Sequence, residues 1–151
     1  MSGDKPAGHD DVGLPGIEPQ LARLREIAPP GFVMVFDVTW SGPKFTHFEY
    51  PQDWREIYEG KNYFILDPVF YWTMTSKGRK RWSELRLPDP GKIFEKGKKY
   101  DLNYGAVFSH RSKRSRSFLT AARSDREFTD AELTEMNNLF KECIEVSNQQ
   151  P

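Results

Sequence analysis

At 151 residues, with 22 basic and 22 acidic side chains, the chain is sized for one domain with a proper core, and its formal net charge of zero favours neither nucleic acid nor an anionic membrane. A single cysteine, Cys143, excludes an intramolecular disulfide framework and suits a reducing cytoplasm. No apolar run approaches a membrane span, and the opening MSGDKPAGHDDVGLPG lacks a signal-peptide core, so a soluble cytoplasmic protein is expected.

Residues 1–16, polar and rich in Gly and Pro, read as a loose arm ahead of a domain over 17–147, with a stub at 148–151. A short helix from Pro19 carries Leu21, Leu24 and Ile27, and APPG breaks it. FVMVFDV (32–38) is a buried strand, and SGP turns it into a second strand over 44–50. A helix runs from Pro51 to about Gly60, with Pro at its start and Gly at its end. Asp67-Pro68 opens the next helix as N-cap and first helical residue, and that helix runs to about Ser76. RKRWSEL (79–85) reads as a short extended piece, and 88–102 as helical from about Gly91. YGAVFSH and RSFLTAAR are two strands joined by a basic turn, with Phe118, Thr120 and Ala122 on one face. The last helix has the capping box TDAE (129–132) and an apolar stripe of Leu133, Met136, Phe140, Cys143 and Ile144. The order implies an α+β fold, an antiparallel sheet with helices on both faces.

Eleven aromatic residues fall between Phe45 and Trp82. The Tyr and Trp among them need partners for their polar tips once buried. Trp54 and Tyr58, four apart, share one helix face, and Asp67 is the only charge between Lys61 and Lys77. As an N-cap alone Asp67 is ordinary helix chemistry, and Trp54, Tyr58 and Trp82 can all serve as core rings or a strand anchor. Together they supply an indole N–H, a phenol O–H and a carboxylate among apolar rings, which suits a small neutral ligand bearing carbonyls and one N–H.

The framework W-x3-Y-x8-D-P-x13-W, from Trp54 to Trp82, is followed by Y-x4-G (Tyr100 to Gly105) ahead of two strands. It resembles the autoinducer-binding domain of LuxR-type quorum-sensing regulators, from about Phe32 to Ile144. The resemblance implies a three-layer α-β-α sandwich that binds an N-acyl-homoserine lactone and is no enzyme. By that resemblance Trp54 donates to the lactone carbonyl, Asp67 accepts the ligand amide N–H, and Tyr58 donates to the acyl carbonyl. Tyr50, Val69, Phe70, Trp82, Ile93, Phe94 and Ala106 would line the walls, Gly105 would let backbone or acyl chain pass closely, and Thr120 would stand where some members bind a 3-oxo group. Lys80 and Arg81 ahead of Trp82, the basic turn SHRSKRSR, and Asp101 in place of a common Gly depart from the family pattern. The resemblance further implies a homodimer or a heterodimer with a related regulator. DNA would be read only by a helix-turn-helix outside this chain, which then serves as the sensory half of a regulator or as a truncated sensor that sequesters signal or forms mixed dimers.

Two other classes compete. The basic runs 77–81 and 110–116 could track phosphates or a protein partner, though exposed charge runs are usually solvated turns. An enzyme needs an acid/base or nucleophilic pair, yet His9, His47 and His110 lie in an arm, a strand and a turn. The HDD at 9–11 lacks further spaced metal ligands.

Overall fold

The structure, a computed structural model, describes residues 12–151. Its elements are α1 (Glu18–Ile27), β1 (Gly31–Val38), β2 (Phe45–Phe48), α2 (Gln52–Gly60), α3 (Pro68–Thr75), β3 (Gly78–Arg81), α4 (Ile93–Gly97), β4 (Tyr104–Arg111), β5 (Arg116–Arg123) and α5 (Asp130–Asn148). The strands form one antiparallel sheet in the order β2-β1-β5-β4-β3. This is the α+β sandwich expected from the order of elements.

Strand alternation divides the side chains between two layers. Phe32, Met34 and Phe36 of β1, Ala106 and Phe108 of β4, and Leu119 and Ala121 of β5 pack on one face. There they meet Leu21, Leu24 and Ile27 of α1 and the expected stripe of α5, Leu133 to Ile144. The capping box forms: Thr129 Oγ1 accepts from Glu132 N at 3.1 Å, and Glu132 Oε1 accepts from Thr129 N at 2.9 Å. Residues one step along, such as Phe118 and Thr120, turn to the other face, under α2, α3 and α4. The domain therefore has a solid side and a hollow side.

Several local expectations need correction. The arm was drawn to Gly16, and residues 1–11, with His9 and the HDD, lie outside the described residues. Beyond them the chain is anchored: Leu14 is buried, its N–H donates to His47 Nε2 at 2.9 Å, and Val12 O accepts from Thr46 N. The extended piece at 79–85 ends at Arg81, because Glu84 Oε1 accepts the Arg81 N–H (2.8 Å) and folds Trp82–Glu84 into a 3-10 turn. The helix from Gly91 is shorter than expected. Asp89 caps the N–H groups of Ile93 and Phe94, at 3.0 Å each, and α4 passes at Lys98 into a 3-10 turn that ends on Asp101. Asp101 holds φ at 67°, a left-handed conformation that Asp tolerates better than most residues.

Candidate ligand-binding site

The hollow side holds a cavity of about 220 Å3. Val33 and Val35 of β1 and Phe118 and Thr120 of β5 form its floor. Tyr50, Trp54 and Tyr58 come from the β2–α2 junction and α2, and Asp67, Val69 and Phe70 from the start of α3. Trp82, Ile93 and Phe94 close it, with Phe48, Phe64, Gly97 and Leu102 completing the wall. Nearly all of this surface is apolar, so each polar group in it carries weight.

Asp67 is the N-cap that its position before Pro68 implied, with Oδ1 accepting from Val69 N at 2.8 Å. Its second oxygen accepts the Tyr58 O–H at 2.6 Å. One carboxylate thus starts α3 and ties it to α2. Burial raises the Asp67 pKa, and the Tyr58, Val69 and Phe70 donors only partly oppose this. The Tyr58 phenol is pushed up as well, by burial and then by the Asp67 charge. Tyr50 is raised by burial. All three therefore hold their protons more tightly than in water.

Trp54 is 4% exposed and packs among Tyr58, Tyr63 and Tyr100, with ring centroids 5.4–6.1 Å away. Its indole N–H has no acceptor among the described residues. The Trp82 indole, in contrast, donates to Thr120 Oγ1 at 3.0 Å. Thr120 also stands 3.5 Å from the Tyr50 hydroxyl and passes its own proton to Ala106 O at 3.2 Å. The Thr120 hydroxyl is fully engaged inside the protein.

Ten of the residues expected at the site line the cavity: Tyr50, Trp54, Tyr58, Asp67, Val69, Phe70, Trp82, Ile93, Phe94 and Thr120. Ala106 does not. It sits on the opposite face of β4, fully buried between the sheet and α5, because alternation reverses at each residue. Gly105 is on the hollow side, but the space it leaves belongs to Trp82. A Cβ there would stand 2.2 Å from two atoms of that indole. Val33, Val35, Phe48, Phe64, Gly97, Leu102 and Phe118 were missed. Alternation from Thr120 gives Phe118, and the register pairs Val35 with Phe118 and Val33 with Thr120, but that pairing was not legible in the chain.

The basic runs are not one free surface. Arg81 donates to Phe128 O and Asp130, Arg79 to Thr134, and Arg111 to Met74 O. No group of three metal-ligating side chains occurs among the described residues, and no helix among them is long and apolar enough to cross a membrane. His47 pairs in register with Met34 on the solid side, away from the cavity.

An apolar cavity between the sheet and its helices is the architecture of a small-molecule-binding domain. The family model described as the autoinducer binding domain matches residues 34–143, and the chain belongs to that family. A search of curated proteins finds no match. Among solved structures, the N-acylhomoserine lactone dependent LuxR family transcription factor CepR2 from Burkholderia cenocepacia is similar at 14% identity and TM-score 0.65, over 86% of this chain and 79% of that one. Escherichia coli SdiA is similar at 22% identity and TM-score 0.69, over 89% of this chain and 61% of its own. SdiA in complex with octanoyl-rac-glycerol is similar at 21% and 0.68, over 89% and 60%. At these identities the likeness is one of fold.

Proposed function

We propose that the cavity binds an N-acyl-homoserine lactone or a related acyl or aryl signal, and that the chain is the sensor of a LuxR-type quorum-sensing regulator. The observation that carries this reading is the pairing of a dry, unpartnered Trp54 indole N–H with the Tyr58–Asp67 couple in an otherwise apolar chamber. Such a chamber has room for one carbonyl acceptor, one amide donor and a greasy tail. Two structural neighbours support the chemistry, one described as lactone-dependent and the other holding an octanoyl glyceride.

Binding in this reading is an exchange of hydrogen bonds. The Tyr58 O–H donates to Asp67. A ligand amide N–H replaces it on the carboxylate, and the freed phenol turns to the acyl carbonyl. Trp54 takes the lactone carbonyl. One internal bond is lost and three are made to the ligand, in a site too dry for water to compete well. Thr120 has no proton left for a 3-oxo oxygen, so that position of the acyl chain is read by shape. The domain pairs with a second copy or a related regulator, and DNA contact falls to a helix-turn-helix outside these residues.

The test is thermal denaturation against a panel of acyl lactones of varied length, with and without 3-oxo groups. A ligand at 100 times its Kd adds about 2.7 kcal/mol of stability when it binds only the folded state. No shift with any member at high concentration would refute the lactone reading.

A further inference from the structure

The cavity floor continues past Phe118 to a charge that the binding scheme does not use. β5 alternates, so Arg116 lies on the same face as Phe118 and Thr120, about 7 Å along the strand from Phe118. Its guanidinium stands 6.0 Å from the centre of the Phe70 ring, which meets Phe118 edge-on at 6.1 Å. Both rings line the cavity. Arg116 is thus one ring's thickness behind the chamber wall, at the end away from Trp54.

Its surroundings differ from those of the six arginines that pair with a carboxylate. Arg23, Arg25, Arg55, Arg81, Arg123 and Arg126 each meet a carboxylate. Among the described residues Arg116 meets none, and its Nε is shut off from solvent with no acceptor. Asp37, close by on β1, turns its two oxygens to Ser115 (3.3 Å) and Ser147 (2.7 Å) instead. The charge that does act on Arg116 is that of Arg111, its partner in register. Burial and that like charge both lower its pKa. Stacking on Phe70 accounts for the ring contact. It does not account for a dry donor with no acceptor, an arrangement that costs stability unless something completes it.

We propose that Arg116 reads the far end of the ligand, accepting a tail that ends in a carboxylate. This rests on the cavity being the ligand site. A tail that parts the Phe70–Phe118 edge contact meets the guanidinium next, and an anionic terminus supplies the counter-charge that the fold leaves out. The preferred signal is then apolar in its middle and charged at its tail.

The test measures affinity by calorimetry for matched pairs of acyl lactones of equal length, one ending in methyl and the other in carboxylate. Wild type should prefer the carboxylate by about tenfold or more at its best length. Arg116→Met should reverse that preference while keeping or improving the methyl-ended ligand, and Arg116→Lys should retain part of it. Equal or better binding of the methyl-ended ligand by wild type overturns the proposal, as does an unchanged ratio in Arg116→Met. The wild-type comparison decides the matter even if the variant does not fold. Binding of neither class overturns the lactone reading as well, whereas binding of the methyl class without preference overturns only the role of Arg116.

Discussion

Replacing Asp67 with Asn separates its two tasks. The Asn side-chain oxygen can still accept the Val69 N–H, now at 2.8 Å, and Asn is as good an N-cap as Asp. The other position becomes an NH2 that faces the Tyr58 hydroxyl, 2.6 Å from the oxygen it replaces. Tyr58 can turn its proton away and accept from it. The fold therefore keeps both links, and it loses a charge whose burial raises the Asp67 pKa. A raised native pKa contributes stability below the unfolded value of 3.8, and that contribution is lost as pH rises through the native value. Asp67→Asn should then melt at the same temperature as wild type at neutral pH or higher, with any gain fading in acid. Ligand binding goes the other way. The amide N–H of the ligand meets a donor instead of a carboxylate, and losing a hydrogen bond to a charged group costs about 1.5–3 kcal/mol, a 10- to 150-fold weakening. Calorimetry on both proteins with the best lactone of the panel, beside a melting curve of each without ligand, reads the two effects separately. An Asn variant that binds as tightly as wild type would reduce Asp67 to a capping residue and refute the exchange scheme.

Gly105→Ala should destabilise the fold by about 1–3 kcal/mol through overpacking, because the new Cβ would stand 2.2 Å from the Trp82 indole; a urea midpoint equal to wild type would show that the ring moves without cost. Trp54→Phe should weaken lactone binding with little change in melting temperature, since the lost N–H has no acceptor among the described residues; unchanged affinity would remove it from the site. His47 accepts from Leu14 N, and burial lowers its pKa from 6.5. A depressed histidine contributes stability above the unfolded value and loses it as pH falls from 6.5 toward the native value, so urea midpoints should drop across that window in wild type and less in His47→Gln, and equal slopes would refute the role.

The sequence carried the layers and the polar kernel of the site because both rest on local rules. Asp67-Pro68 is a helix start in any context, and Trp54 and Tyr58 share a face wherever a helix holds them. The stripe from Leu133 to Ile144 needs only a period of 3.6 residues. The misplacements come from facts that no local pattern holds. Gly105 and Ala106 are adjacent, yet one shelters Trp82 and the other packs toward α5, and which residue faces which way depends on the register of β4 against β5. Val33, Val35 and Phe48 were hidden for the same reason, since β1 reads as buried throughout and only pairing with β5 divides its faces. Lys80 and Arg81 depart from the family pattern, and the structure shows Arg81 donating to Phe128 O and Asp130.

The polar groups around the chamber fall into three kinds, and under the proposed scheme the division says where selectivity would reside. Thr120, Trp82 and Ala106 O form a closed chain in which every hydrogen is assigned, at 3.0 and 3.2 Å. That chain fixes the sheet under the roof and has nothing to offer a ligand without first being broken. The Tyr58–Asp67 link is closed but exchangeable, because a ligand with a donor and an acceptor can replace it on both sides. Among the described residues the Trp54 N–H, on the cavity wall, and the Arg116 Nε, behind it, have no acceptor. An unpaired buried donor is costly until an acceptor arrives, so under the proposed binding scheme these two groups would discriminate most strongly between ligands that bring an acceptor and those that do not. The apolar wall between them would then set the length of tail that lets one molecule reach both.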